Sequence, residues 1–576
     1  MASTLPLGAI ASLEWYPVNS RLKRNSEIVP RRSKQQPTKS IKTAEQTELK
    51  FPAPEDEKLE VSAMETWLWD AACTIRGMTD APKFKDFILP LVFYKRLSDV
   101  FDDEFARHVE EFGDEETAHE VIEADHKDAI TTGRKDRMVR YYIPDECRWD
   151  KIRNHGEEGL GEFITTATRK VTTLNPELKG VLDIKDYNET QSGQRTLGDD
   201  RLAALVEVVS RHRLGLKNTS PDVFGDAYEY LLRKFAEGQG QSAGEFLTPP
   251  EVGWLMAEII DPAPYTTIYD PTCGSARLLI KPRLVFERNY PDQKSKAPKL
   301  YGQELNHTTF AIAKMNAVIY DFRDSSLEIG DTFLNPKFVE TGKGLMRHDY
   351  AVANPMWNQS NYDTGFYEND PWKRFEYGTP SKSSADWGWV QHILASLNDQ
   401  GRAGIVLDTG AVSRGSGSKS SNKERDIRKQ FVERDLIEGV ILLPENLFYN
   451  TTAPGIILLL NRHKLENRQG EILLVNASGY CVKVGAKNRL TDAGIKAVTE
   501  VYRNWETREK LSRVVTKKEV QEADYNLSPS QFVEINDKVT HRPISEILMD
   551  LEVARSEREK ADKDLAEVLG KLKIQE

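Results

Sequence analysis

From Thr266 onward, short β-branched runs alternate with helix-patterned stretches, and this alternation constrains the fold more than any other feature. Thr266-Thr-Ile-Tyr-Asp270, Lys299-Leu-Tyr-Gly302, His348-Asp-Tyr-Ala-Val-Ala353, Gly404-Ile-Val-Leu-Asp408 and Ile437–Leu443 have the length and composition of buried strands. Between them, Ala311–Tyr320 and Trp387–Leu397 read as helices. Parallel strands need long crossovers, so strand–helix alternation predicts an α/β domain with a mainly parallel sheet. Ile456–Leu460 and Glu471–Val475 then read as an antiparallel pair that closes it.

The chain has 576 residues, enough for several domains. Before the α/β segment, apolar residues from Leu59 to Arg213 recur at near-helical spacing, as in Trp67, Leu68, Ala71, Ala72 and Ile75. Residues 59–236 are therefore expected to form a mostly α domain, whose acidic stretch Asp102–Asp128 supplies solvated helix faces and loops. Gly238–Gly244 is a Gly/Ser/Gln connector into a second domain spanning 237–530. Residues 531–576 carry an amphipathic helix over Ser545–Lys573, whose apolar stripe needs a partner surface. Residues 1–58 are polar and read as a disordered extension. A targeting or nucleic-acid-contacting arm is the alternative, against which Glu14 and Glu27 interrupt the basic clusters.

Net charge is −11, which disfavours a chain that holds nucleic acid by bulk electrostatics alone. A local basic cleft, or a partner's basic surface, remains compatible with it. The four cysteines are widely spaced, with no CxxC pair, so a reducing, cytoplasmic setting is expected and a zinc cluster is not. The longest apolar runs fall far short of the roughly 20 residues that span a bilayer.

Four strand tips carry the chemistry. Asp270-Pro-Thr-Cys-Gly-Ser-Ala-Arg277 follows the first strand and opens a helix. Its glycine permits close backbone approach, and the helix start offers free amide donors to an anion. Glu304 ends the second strand, where a carboxylate can hold ribose hydroxyls; an exposed helix-capping acid is the alternative. Asp331, near the end of the third, could accept from an adenine amino group. A pyrophosphate cofactor is disfavoured, because G-x-G-x-x-G is missing. Asn354-Pro-Met-Trp357 ends the fourth strand with an amide carbonyl, a proline carbonyl and an aromatic ring. Two acceptors can hold the hydrogens of an exocyclic amine and aim its lone pair, while Trp357 can stack on the base.

These residues resemble the N6-adenine DNA methyltransferases, specifically the methylation subunit of type I restriction–modification systems. That family carries a D-P-x-C-G-S-G-type loop and an N-P-P-[FYW] tetrapeptide. Gly244-Glu-Phe-Leu-Thr-Pro-Pro250, Gly302–Asn306 with Ala311–Asn316, Leu443–Pro454 and Tyr525-Asn-Leu-Ser-Pro529 are similar to it as well, so the likeness runs from about Val61 to the C-terminus.

The resemblance implies a Rossmann-like, S-adenosylmethionine-dependent fold with a helical N-terminal domain and a C-terminal helical tail. It implies S-adenosylmethionine as methyl donor, no metal, and a flipped adenine in DNA as acceptor. Glu245, Phe246, Leu247, Thr248, Pro249 and Pro250 would lie over the methionine moiety. Asp270, Thr272, Cys273, Gly274, Ser275 and Ala276 would form the loop beneath it. Glu304 would hold the ribose, Asp331 and Thr332 the adenine edge, and Asn354, Pro355, Met356 and Trp357 the catalytic tetrapeptide. Partners would be a specificity subunit, a second copy of this chain and a restriction subunit.

Ala276 stands where the family has glycine, followed by bulky Arg277, and Met356 where it has a second proline. Ala276 is harmless only at negative φ; at positive φ it costs about 1 kcal/mol or more. These departures motivate a competing reading, an assembly subunit that has lost cofactor binding. A third is N4 methylation of cytosine, whose amine suits the same two acceptors.

Overall fold

The computed structural model describes residues 58–75, 84–134, 136–191, 194–230 and 248–571, apart from 222, 226, 228, 229, 323, 343, 361, 363, 450 and 535–543. The expected extension therefore lies almost entirely outside the described residues, as does the connector Gly238–Gly244.

The N-terminal half is helical: α1 (Val61–Thr74), α2 (Phe84–Phe112), α3 (Glu115–Thr132), α4 (Trp149–Asn154), α5 (Leu160–Leu174) and α6 (Asp199–Val209). The acidic stretch is helix almost throughout, broken only between α2 and α3. There Gly113 takes φ 93, and Asp114 caps α3 by accepting from the Thr117 amide at 2.8 Å. The only strand pairing described in this half is a two-residue ribbon, Thr190–Gln191 with Gln194–Arg195.

The second half is built on a nine-stranded sheet. In chain order its strands are β1 (Thr267–Asp270), β2 (Lys299–Glu304), β3 (Ser326–Ile329), β4 (His348–Ala353), β5 (Leu397–Asp408), β6 (Ile437–Leu442), β7 (Gly455–Asn461), β8 (Glu471–Asn476) and β9 (Ser512–Thr516). Their order across the sheet is β9-β8-β6-β7-β5-β4-β1-β2-β3. Neighbours among β1 to β5 are parallel, so the C-terminal tips of β1, β2, β3 and β4 share one edge.

Side chains alternate between faces as a strand period of two requires. Ile268, Val352, Val406 and Ile441 join α7 (Pro250–Ile260), α8 (Arg277–Asn289) and α12 (Asp492–Asn504) in one core. Tyr269, Ala351, Ile405 and Val440 join α10 (Asp386–Ala395) and α11 (Lys423–Glu433) in another, on the opposite face. A further helix of this domain, α9 (His307–Ile319), is capped by Asn306, which accepts from Thr308 and Thr309 amides at 2.9 and 3.1 Å. The chain's last described helix is α13 (Ile544–Lys571).

One expectation is corrected. β7 and β8 do not pair with each other. β7 inserts antiparallel between β5 and β6, and β8 lies parallel to β6 on its far side, closed by antiparallel β9. Every residue of β6 and β7 is buried, which suits interior positions; strands covered on both faces lose the alternation that marks an edge pair.

Candidate active site

The loop after β1 is held from beneath. Asp270 is fully buried and accepts from the Thr272 amide at 2.9 Å. Burial pushes its carboxyl up to about 8, against the pull of that amide, and the Glu304 charge adds to the rise. The Cys273 amide donates to the Gln303 carbonyl at 2.9 Å, and burial raises the thiol well above its usual range. Cys273 is a buried loop residue, not an available thiolate. A Cβ on Gly302 would come within 2.8 Å of Leu327 and 3.0 Å of the Cys273 sulfur, so only glycine lets β2 approach this loop so closely.

Gly274 adopts φ 53, and a Cβ there would meet nothing closer than 4.0 Å, so the loop surface above it is open. Its amide donates to Glu304 Oε2 at 2.9 Å, while Glu304 Oε1 accepts from the Asn306 amide at 2.8 Å. Glu304 thus bridges the tips of β1 and β2. The Ser275 carbonyl accepts from Asn316 Nδ2 at 2.8 Å, and Asn316 Oδ1 is buried without a hydrogen-bond partner. Ala276 lies at φ 61, buried, immediately before α8. The condition under which its methyl would be harmless is not met. Arg277, by contrast, does not crowd the loop: it reaches away to the Gly225 carbonyl, 3.1 Å distant.

At the tip of β3, Asp331 Oδ1 accepts from the Phe333 and Leu334 amides at 2.8 and 3.0 Å. Thr332 is buried and donates its hydroxyl to the Pro271 carbonyl at 2.6 Å, which ties this loop to the first. Gln303 strengthens the tie, donating to the Gly330 and Asn335 carbonyls and accepting from the Lys337 amide. Gln303 and Asn316 lie in family-like stretches, but sequence pattern alone assigns neither a role.

At the tip of β4, Asn354 Nδ2 donates to Thr248 Oγ1 at 2.9 Å, and Asn354 Oδ1 accepts from the Trp357 indole at 3.1 Å. Pro355 is buried and Met356 is 42% exposed. Trp357 is only 8% exposed and packs edge-on against Phe448, centroids 4.6 Å apart. The space for this pair exists because position 455 is glycine; a Cβ there would meet Phe448 at 2.7 Å and Trp357 at 2.9 Å. Phe448 belongs to the Leu443–Pro454 stretch, and Lys487 fixes it by donating to the Phe448 and Thr451 carbonyls at 2.7 and 3.2 Å.

The turn beyond is also pinned. Asn358 takes φ 51, donates its amide to buried Asp386 at 2.9 Å and accepts from Arg414 at 2.7 Å. Arg414 in turn pairs with Asp386, Asp408 and Glu424. Of the remaining expected residues, Pro249 caps α7 and Pro250 begins it, while Glu245, Phe246 and Leu247 lie outside the described residues.

The four tips, with Thr248 joined to the last, form one continuous edge of loops. The family model described as N-6 DNA Methylase matches residues 219–540, more than half of the chain. The chain belongs to that family. A second, described as the HsdM N-terminal domain, matches residues 64–209. Among curated relatives, the type I restriction enzyme MjaVIII methylase subunit of Methanocaldococcus jannaschii is 36% identical over 462 residues, 77% of this chain and 74% of that one. The HindI methylase subunit of Haemophilus influenzae is 29% identical, over 68% of this chain and 89% of its own length. A solved type I methyltransferase subunit from Streptococcus thermophilus superposes with a TM-score of 0.68 at 26% identity, covering 83% of this chain and all of that one. The chain is an adenine-N6 DNA methyltransferase of the type I modification-subunit kind.

Proposed function

We propose that the loop edge binds S-adenosylmethionine across the tips of β1, β2 and β3 and receives a flipped adenine at the tip of β4. The observation that carries this reading is the Asn354 carboxamide at one end of an edge whose neighbouring tips present Gly274, Glu304 and Asp331. The residues fit such a donor. The loop is open above Gly274, two carboxylates flank it, and Leu305 and Leu334 stand exposed beside them to meet an apolar ring face.

Glu304 would hold the ribose and Asp331 the adenine edge, with Thr248, Pro249 and Pro250 over the methionine end. When bound, the donor supplies a methyl group on a positively charged sulfur. Asn354 Oδ1 and the Pro355 carbonyl accept the hydrogens of the target amine and so direct its lone pair toward that methyl. A carboxamide is not a base at neutral pH, so the chain contributes alignment, and the proton leaves the methylated amine for solvent.

Sequence specificity and much of the DNA grip would come from a specificity subunit, with a second copy of this chain and a restriction subunit completing the complex. Supporting this division, Leu548, Leu551 and Leu565 on α13 are each more than half exposed. The strained Ala276 favours a second reading, an assembly subunit impaired in donor binding. Calorimetric titration with S-adenosylmethionine separates the two, with Asn354→Ala as control: binding by both proteins supports the enzyme. Mass spectrometry of nucleosides from DNA treated by the assembled complex then distinguishes N6-methyladenine from N4-methylcytosine. No binding by the chain, alone or with specificity subunit and DNA, would sink the enzymatic reading.

A further inference from the structure

An indole N–H can only donate, and that fixes which way the Asn354 carboxamide faces. Trp357 Nε1 lies 3.1 Å from one end of the amide, so that end must be the oxygen. The other end is therefore the NH2 group, and it meets Thr248 Oγ1 at 2.9 Å. Nδ2 needs an acceptor there, and a threonine hydroxyl supplies one. The amide is held by a donor at its oxygen and an acceptor at its nitrogen, the polarity an amine-accepting carbonyl requires. A carboxamide oxygen accepts from two donors, so the indole bond and an amine N–H are compatible.

This bond gives Thr248 a part beyond its place in the segment proposed to lie over the donor. Its position is fixed from behind, because Pro249 and Pro250 follow it directly into α7, whose buried residues Val252, Leu255 and Met256 anchor that helix in the core. Asn354 is anchored just as firmly at the end of β4. The hydrogen bond thus joins two rigid elements 106 residues apart in sequence.

We propose that Thr248 is a positioning residue for methyl transfer, whose hydroxyl oxygen locks the Asn354 carboxamide with its carbonyl toward the incoming amine. The inference rests on the methyl-transfer reading above. Without the Thr248 oxygen the NH2 group loses this acceptor, and the carboxamide is held less firmly with its carbonyl toward the amine. Thr248 also belongs to the segment proposed over the methionine end of the donor, so transfer rate and donor affinity are read separately.

The test compares Thr248→Val, which keeps shape and loses the acceptor, with Thr248→Ser, which keeps it. Each variant is assembled with its specificity subunit on DNA from a strain lacking this methylase. Single-turnover formation of N6-methyladenine is measured at saturating S-adenosylmethionine, and donor Kd by calorimetry. Thr248→Val is expected to slow transfer at saturating donor roughly tenfold or more, whatever its change in donor Kd, and Thr248→Ser to recover most of the rate. A Val variant at the wild-type rate overturns the proposal, as does a change confined to Kd, or a Ser variant as slow as Val. Thermal midpoints show whether Thr248→Val has lost its fold; in that event the folded Ser variant carries the test, and a Ser enzyme slowed roughly tenfold or more would overturn the proposal. No product from the wild-type complex would refute the methyl-transfer reading itself, and this inference with it.

Discussion

The methyl of Ala276 sits on backbone that glycine would adopt without strain, at φ 61. A left-handed conformation costs an L-residue about 1 kcal/mol or more. Ala276→Gly should therefore raise the urea midpoint by an amount worth about 1 kcal/mol with m unchanged, less whatever contact its buried methyl makes. It should tighten S-adenosylmethionine binding only if the strain distorts the loop, and calorimetry on both proteins reads this directly. The strain was foreseeable as a condition, since the sequence shows alanine in a glycine position, but φ itself is a property of the folded loop. Asp270 makes a second residue-scale prediction. Its carboxyl titrates near 8 in the folded chain, chiefly through burial, against about 4 when unfolded. Between those values the folded state holds a proton that the unfolded state has lost, so this contribution to stability falls as pH rises from about 4 to about 8. Asp270→Asn keeps the acceptor for the Thr272 amide and cannot ionise. Its urea midpoint should change less than that of wild type between pH 6 and pH 8; an equal change in both proteins would remove Asp270 as the source.

At the scale of elements, legibility follows local pattern. β4 spans His348–Ala353 as its short run ending in Ala-Val-Ala predicts, and α8 begins at Arg277 directly after the loop. Pairing order is another matter. The sequence from Gly455 to Val475 shows two apolar strands joined by a short connection, and adjacency favours a hairpin. The structure separates them by β6 because all three strands are buried on both faces, and nothing in a uniformly apolar run specifies its neighbour. The packing of Trp357 was hidden for a similar reason: it depends on Phe448 and on the space above Gly455, 91 and 98 residues away in sequence. The loop carrying Phe448 hangs on Lys487, half-buried with its ammonium pKa lowered by desolvation. Lys487→Met should take this donor from three acceptors, the Phe448 and Thr451 carbonyls and Asn446 Oδ1, at about 1–3 kcal/mol of local stability. Amide exchange in the segment around Phe448 should then quicken at least several-fold while exchange in β6 stays protected. Unchanged exchange there would mean that Trp357 and Gly455, rather than Lys487, hold the loop.

For the molecule as a whole, composition divides the chain near residue 237, but packing does not divide there. α9 belongs to the second half in sequence, yet it serves two cores. Ala313 packs with the helices and strands of the catalytic sheet, whereas Ile312, Met315 and Ile319 are buried with the helices of the N-terminal half. Lys314 Nζ donates to the Lys179 carbonyl at 3.3 Å, and Arg140 pairs with Asp321 at 3.4 Å, on either side of that seam. Ala311–Ile319 is apolar on nearly every face, the mark of a helix covered all round, but periodicity does not say by what. The consequence is mechanical: α9 carries Asn316, which holds the Ser275 carbonyl in the loop beneath the proposed donor site, so the N-terminal half bears on that loop through a shared helix. Ile312→Ala removes three methyl or methylene carbons from the seam and should cost about 2–4 kcal/mol. Pulsed hydrogen exchange during urea unfolding, read in peptides from α2 and from β6, should give coincident midpoints in wild type and an equal fall in both for the variant. A fall confined to the α2 peptides would show that the two cores unfold independently, and that the helical half reports on the loop only while it is docked.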